Sequence, residues 1–216
     1  MAPNQLTAPP RLLPGLLLAG VGGLLTGSFA AWAYYDDTFR PLAHTFGLWI
    51  LLVVLLSARR PAVEAGGRSV LALATAVLTF YVGKKVRYGV DYPGMPYPLN
   101  RDEIVEWLAL AAVAGCLFGW VFCRVGREGL LGAVATAGAV GLLVGDAYRR
   151  SWHYGGDLPV VTTMTLIGVA LMLAVGVRSR RQLGRVALWT LPMAVLGMLL
   201  VSAPDALEQL VITGSL

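Results

Sequence analysis

Seven stretches of this chain hold 16–22 residues that are almost wholly apolar. Crossing a bilayer as a helix takes about 20 such residues, with a working range of about 17–25. The stretches are residues 12–33, 42–57, 69–88, 104–122, 130–148, 158–177 and 186–201, and no connection between them is long enough to hold a soluble domain. The expected fold is therefore all-α, a polytopic transmembrane helix bundle of seven spans forming a single integral membrane domain over residues 1–216. Composition agrees: 57% of residues are hydrophobic, 13% are charged and the mean hydropathy is +0.70. An ordinary soluble domain is about one quarter charged. A disordered chain, a disulfide scaffold and a water-soluble enzyme are excluded on that ground. The second stretch is short, and the third reads cleanly only to Val82 before meeting Lys84, Lys85 and Arg87, whose long side chains can snorkel to the interface.

Span boundaries carry their own punctuation. Pro14 and Pro41 suit a first helical turn. Asn100 with Glu103 reads as a capping box opening the fourth span, with Asp102 at its positive end. Asp157 before Pro159 marks the start of the sixth, and Pro192 is expected to kink the seventh.

The connections alternate in charge. One side carries Arg11, Arg59, Arg60, Arg68, Arg124, Arg127, Arg178, Arg180, Arg181 and Arg185, ten of the 17 cations, against only Glu64 and Glu128. The other carries the remaining seven cations, ten of the 12 acids, all eight tyrosines and both histidines. The positive-inside rule makes the first side cytoplasmic, which puts the amino terminus inside and the carboxyl terminus outside a cell (plasma) membrane. Arg11, the first apolar run and Ala31-Trp32-Ala33 also resemble a cleavable signal peptide, which would leave six spans. Glycine at four-residue spacing would be wasted in a discarded segment. Cys116 and Cys123 lie seven apart on one helix, about 10 Å by helical rise, too far for a disulfide.

Small residues recur every fourth position in two spans: Gly15, Ala19, Gly23, Gly27 and Ala31 in the first, and Gly129, Ala133, Ala137, Gly141 and Gly145 in the fifth. Such a stripe lets another backbone approach closely, either within the chain or from a partner subunit. The two spans also open matching triplets, each with a charged aromatic outer turn and an arginine-rich inner turn. A 3-1-3 plan over residues 12–88, 104–122 and 130–201 follows, of the parallel-repeat kind some carriers use. The proline-glutamine signature of the small sugar carriers built on that plan is absent.

Polar chemistry gathers on the outer side. Asp36, Asp37, Arg40 and His44 surround the first outer turn. Glu106 lies a turn inside the fourth span, and Asp146 ends the small-residue stripe of the fifth, with Arg149 at i+3 able to pair with it. Acids inside a membrane are costly and usually paired or functional. The candidate binding residues are therefore Asp36, Arg40, His44, Glu106, Asp146 and Arg149. The segment YGVDYPGMPYPLN at 88–100 reads as a tyrosine-anchored loop or a lid, and Thr162, Thr163 and Thr165 open the sixth span. Named chemistries fail: the last span has no lysine for a retinal, no serine and histidine pair lies at depth for proteolysis, and no phosphate-binding GxxxxGK[ST] motif occurs. His44 and His153 lack metal or haem spacing. No catalytic residue, cofactor or metal is expected, and the basic pI of 9.5 comes from inner arginines suited to anionic lipid, not to nucleic acid.

The glycine-rich first span, the ARRP turn at 58–61, the FYVGKK end of the third span and the GLLVGDAYRRSWHY end of the fifth resemble a family of small multi-span membrane proteins from high-GC bacteria. That family is a domain of unknown function. The resemblance implies a fold class and transfers no site. Two functions are expected on equal footing. One is binding or transport of a small molecule from the outer face, passive, ion-coupled or through a partner. The other is a non-catalytic accessory subunit docking through the stripe of the first span. The expected partners are the lipid bilayer and a second copy or a membrane partner subunit.

Overall fold

The structure is a computed structural model and describes residues 12–153 and 158–213. Apolar runs of this length satisfy their backbone polar groups internally as helices, because lipid offers no partner. The helices are α1 (Leu12–Ala33), α2 (Arg40–Ala43), α3 (Gly47–Ser57), α4 (Ala62–Asp91), α5 (Arg101–Phe122), α6 (Leu130–His153), α7 (Leu158–Gly176) and α8 (Arg180–Thr213), with no strand among the described residues. Six of them, α1 and α4 to α8, are long and apolar enough to cross a membrane.

The second apolar stretch departs from the expectation of one helix over 42–57. It breaks at His44–Phe46 into α2 and the 11-residue α3. At 1.5 Å per residue α3 spans only about 16 Å, half a hydrocarbon core. The third stretch is longer than expected: α4 continues through Lys84, Lys85 and Arg87 to Asp91, where Arg87 pairs with Asp91 at 3.0 Å. Straight-chain cations are good helix formers, so the charges move the span boundary without ending the helix. Asn100 Oδ1 accepts from the amides of Asp102 and Glu103, as expected of a cap. Glu103 does not reach back to close a capping box; its carboxylate accepts from the Tyr81 hydroxyl at 2.7 Å instead. α8 is helical through Pro192. Asp157 lies outside the described residues.

The small-residue stripes govern the packing. A Cβ on Gly23 or Gly27 would collide with the carbonyls of Ala72 and Ala76 on α4, and Ala19 and Ala31 are buried. Gly15 lies under the guanidinium of Arg68. Positions along the two helices rise together, so α1 and α4 run parallel. On α6, Gly141 and Gly145 meet the backbone at Met193 and Met198 of α8, and Ala133 and Ala137 pack with Val186. These two helices are also parallel. Gly129 is the exception. It precedes α6 with φ +93° and nothing faces it, so it serves the turn and not the stripe. α5 packs antiparallel on α4, with Gly115 against Val70 and Gly119 against Gly66.

Two parallel neighbours joined by one connection need a return pass between them. α2 and α3 make that return from α1 to α4, and α7 makes it from α6 to α8. α3 thus lies in the middle of the bundle, with Ile50, Leu51, Val53 and Val54 buried against Leu73, Phe122, Val140, Leu143 and Met172. One end of the bundle collects the arginine-rich turns and the other the tyrosines among the described residues.

Candidate functional site

The broken second stretch creates the site. α3 starts after Phe46 with no capping side chain of its own, so its first amides need an acceptor. The acceptor comes from a hundred residues away. Asp146, on α6 and 1% exposed, takes the Phe46 N–H on Oδ2 at 2.7 Å, and the Gly47 amide also faces it. A carboxylate at a helix N-terminus meets both aligned N–H groups and the positive end of the dipole. Its other oxygen, Oδ1, lies 3.5 Å from Arg149 Nη2 and accepts no hydrogen bond within the protein. The Arg149 guanidinium stacks over the Phe46 ring at 5.4 Å, and Phe46 leans on Trp107 at 6.2 Å.

Beside this carboxylate is a cavity of about 10 Å³ lined by Thr45 and Gly47 on one side, Asp146 and Leu143 on α6, and Met164 and Thr165 on α7. That is room for one water. Thr45 Oγ1 and Thr165 Oγ1 donate to Leu42 and Val161 within their own turns, which leaves their lone pairs as acceptors. A water here would give a proton to Oδ1 and meet two hydroxyls.

Of the six candidate residues, the structure brings Asp146 and Arg149 together. Asp36 accepts from the amides of Thr38 and Phe39, both at 2.9 Å, and so shapes the turn after α1. Arg40 is exposed at the start of α2, and the exposed His44 lies 5.3 Å from the Tyr34 ring. Glu106 is exposed on α5. Lys84 sits over the Tyr34 ring at 4.0 Å, with Phe80 and Tyr81 beside it. Tyr88 stacks on Tyr92 and Tyr97 at 4.8 and 4.9 Å, which ties down the 88–100 segment. Burial, with help from Tyr97, pushes the Tyr35 phenol up to about 12, so it stays a donor, to the Lys84 carbonyl at 3.4 Å. Thr163, like Thr165, bonds its own helix.

Sequence reasoning missed the amides of Phe46 and Gly47, because composition does not show where an apolar stretch breaks. It also missed the buried Gln182, whose side chain bonds the carbonyls of Arg127 and Gly176 at 3.0 and 2.9 Å. A shallow groove of about 410 Å³ between α1 and α4, lined by Leu13, Leu17, Leu24, Leu71 and Thr75 among others, offers no converging polar groups and suits lipid chains. Among the described residues no group of His, Cys, Asp and Glu is arranged to hold a metal.

Six membrane-length helices around a buried carboxylate at a helix break define a multi-span α-helical membrane protein. A model of a family of unknown function, DUF6518, matches residues 6–207, and the chain belongs to that family. No curated protein and no solved structure matches it.

Proposed function

We propose that this protein binds or transports a small molecule from the outer face of a cell membrane, with Asp146 as its working carboxylate. The observation that supports this is the pairing of a buried acid with a discontinuous helix. Unwound backbone at membrane depth is tolerated where it is buried in protein or lines a cavity. Carrier sites are commonly built there, from half-helix ends and an intramembrane charge. Here the half-helix N-terminus, the carboxylate and a small cavity with two threonines in its lining meet at one point.

In this reading the chain crosses the membrane seven times with its amino terminus in the cytoplasm, and α2 with α3 supplies the second crossing. The parallel course of α1 and α4 supports that count, and the arginine-rich turns support the orientation. The triplets α1, α3, α4 and α6, α7, α8 are parallel structural repeats linked by α5. The rival reading, a subunit that docks through the stripe of α1, loses its surface, because α4 already fills that stripe.

Native mass spectrometry of the gently solubilised full chain tests the proposal. A reproducible small-molecule adduct on the wild type that is lost in folded Asp146→Asn supports it. An adduct that survives the substitution removes Asp146 from the site, and a stoichiometric protein partner with no adduct favours the accessory role.

A further inference from the structure

Polar contacts between the two halves of the chain gather at the two ends of the bundle. Residues 12–122 form one body, in which α4 receives α1 and α5 backbone to backbone, and α6 to α8 form the other. Between them, at mid-height, the contact is apolar: Leu51 of α3 meets Gly168 of α7, and Val54 and Leu143 share the core. At the tyrosine-rich end Asp146 of the second body holds the Phe46 amide of the first. At the arginine-rich end Arg59 Nη2 donates to the Val175 carbonyl at 2.7 Å, and Arg127 Nη2 to the Arg60 carbonyl at 2.8 Å. Gln182 then ties the Arg127 carbonyl to that of Gly176.

The bonds to Val175 and Gly176 satisfy carbonyls that the end of α7 leaves without helical partners, and Arg127 covers the Arg60 carbonyl in the turn before α4. The fit is close: Gly126, at φ +75°, has no room for a Cβ beside the Arg59 guanidinium and the Val175 carbonyl. Arg59 itself sits at φ +61°, a left-handed conformation that a non-glycine residue keeps only where its surroundings hold it. With both ends fastened, the space at Asp146 is about 10 Å³, enough for a water and nothing larger.

We propose that the two bodies are hinged and that these contacts are its two latches: an outer latch at Asp146 and Phe46, and an inner latch at Arg59, Arg127 and Gln182. This rests on the binding or transport reading. The structure has both latches shut, and a ligand reaches Asp146 only when one opens while the other stays closed. Close-packed helix pairs move as units, and switching falls to the few contacts that join them.

Cys123 is the natural reporter. It is 3% exposed in the turn beside the inner latch, and the other cysteine, Cys116, is exposed and can be replaced by alanine. The test is the rate at which a maleimide labels Cys123 in the full chain in lipid nanodiscs. Arg59→Ala should speed labelling about tenfold or more, the effect of losing one charge-assisted hydrogen bond. Gln182→Leu should act the same way and serves if Arg59→Ala does not fold. Adding Asp146→Ala, which leaves the Phe46 amide without its acceptor, to either should slow labelling again, because freeing the outer end favours closure of the inner one. Unchanged labelling in the inner-latch variants overturns the proposal. So does an Asp146→Ala that leaves their labelling unslowed or speeds it further, which is general loosening. Labelling needs no substrate. Reciprocal labelling without any adduct would count against the binding reading alone, and an adduct without reciprocity against the latches alone.

Discussion

Glycine here does two different jobs. In α1 and α6 it removes a side chain so that a carbonyl of the neighbouring helix can sit against Cα, an approach that substitutes for the hydrophobic drive lipid cannot supply. Gly23→Leu and Gly27→Leu should therefore push α1 off α4 and cost at least the 1–3 kcal/mol typical of overpacking. Gly20→Leu, on the same helix with nothing within 4 Å, should be neutral. Thermal melting of the purified variants checks the contrast, and equal melting points would refute the packing role. At the turns glycine supplies positive φ instead. Asn100→Ala should cost about 1 kcal/mol through the lost cap of α5. A denaturation midpoint shift within error would show the cap to be idle.

Elements were legible where their chemistry is periodic. Small residues every fourth position marked the contact faces of α1 and α6, and Asn100 marked the start of α5. The break at His44–Phe46 was not legible. Leu42 to Ser57 is apolar on both sides of the break, and Thr45 and Phe46 are ordinary helix residues, so hydropathy sees one short span. What holds it broken is tertiary, a carboxylate from α6 that accepts the first α3 amides. Asp146 and Glu106 stand out alike by position along their spans, but only Asp146 is buried by its neighbours, because position in a span says nothing about what packs on it. Gln182 illustrates the same limit: one glutamine in an arginine-rich turn carries no pattern. With its two carbonyl bonds, Gln182→Leu should lower stability by about 1–3 kcal/mol despite the gain in apolar surface. A melting point at or above wild type would contradict that.

At the scale of the molecule, parallel partners within each half demand an odd number of passes between the first and last helices. In the proposed seven-span arrangement the two termini lie on opposite faces of the membrane. Paired reporters fused to each terminus should report cytoplasmic for the first and external for the last. Both on one side would mean that α2 and α3 fold back without crossing. The plan also explains why α6 is the most enclosed helix of the six: it packs on α7 and α8 and carries the residue that fastens α3.

That fastening is the claim on which the site depends. Hydrogen–deuterium exchange of the full chain in nanodiscs, resolved over residues 44–50, tests it directly. The wild type should protect the Phe46 and Gly47 amides, and Asp146→Ala, which removes the acceptor, should speed their exchange about tenfold or more while leaving the rest of α3 protected. Equal exchange in the two proteins would mean that Asp146 does not hold the broken span, and the site built on it would fall.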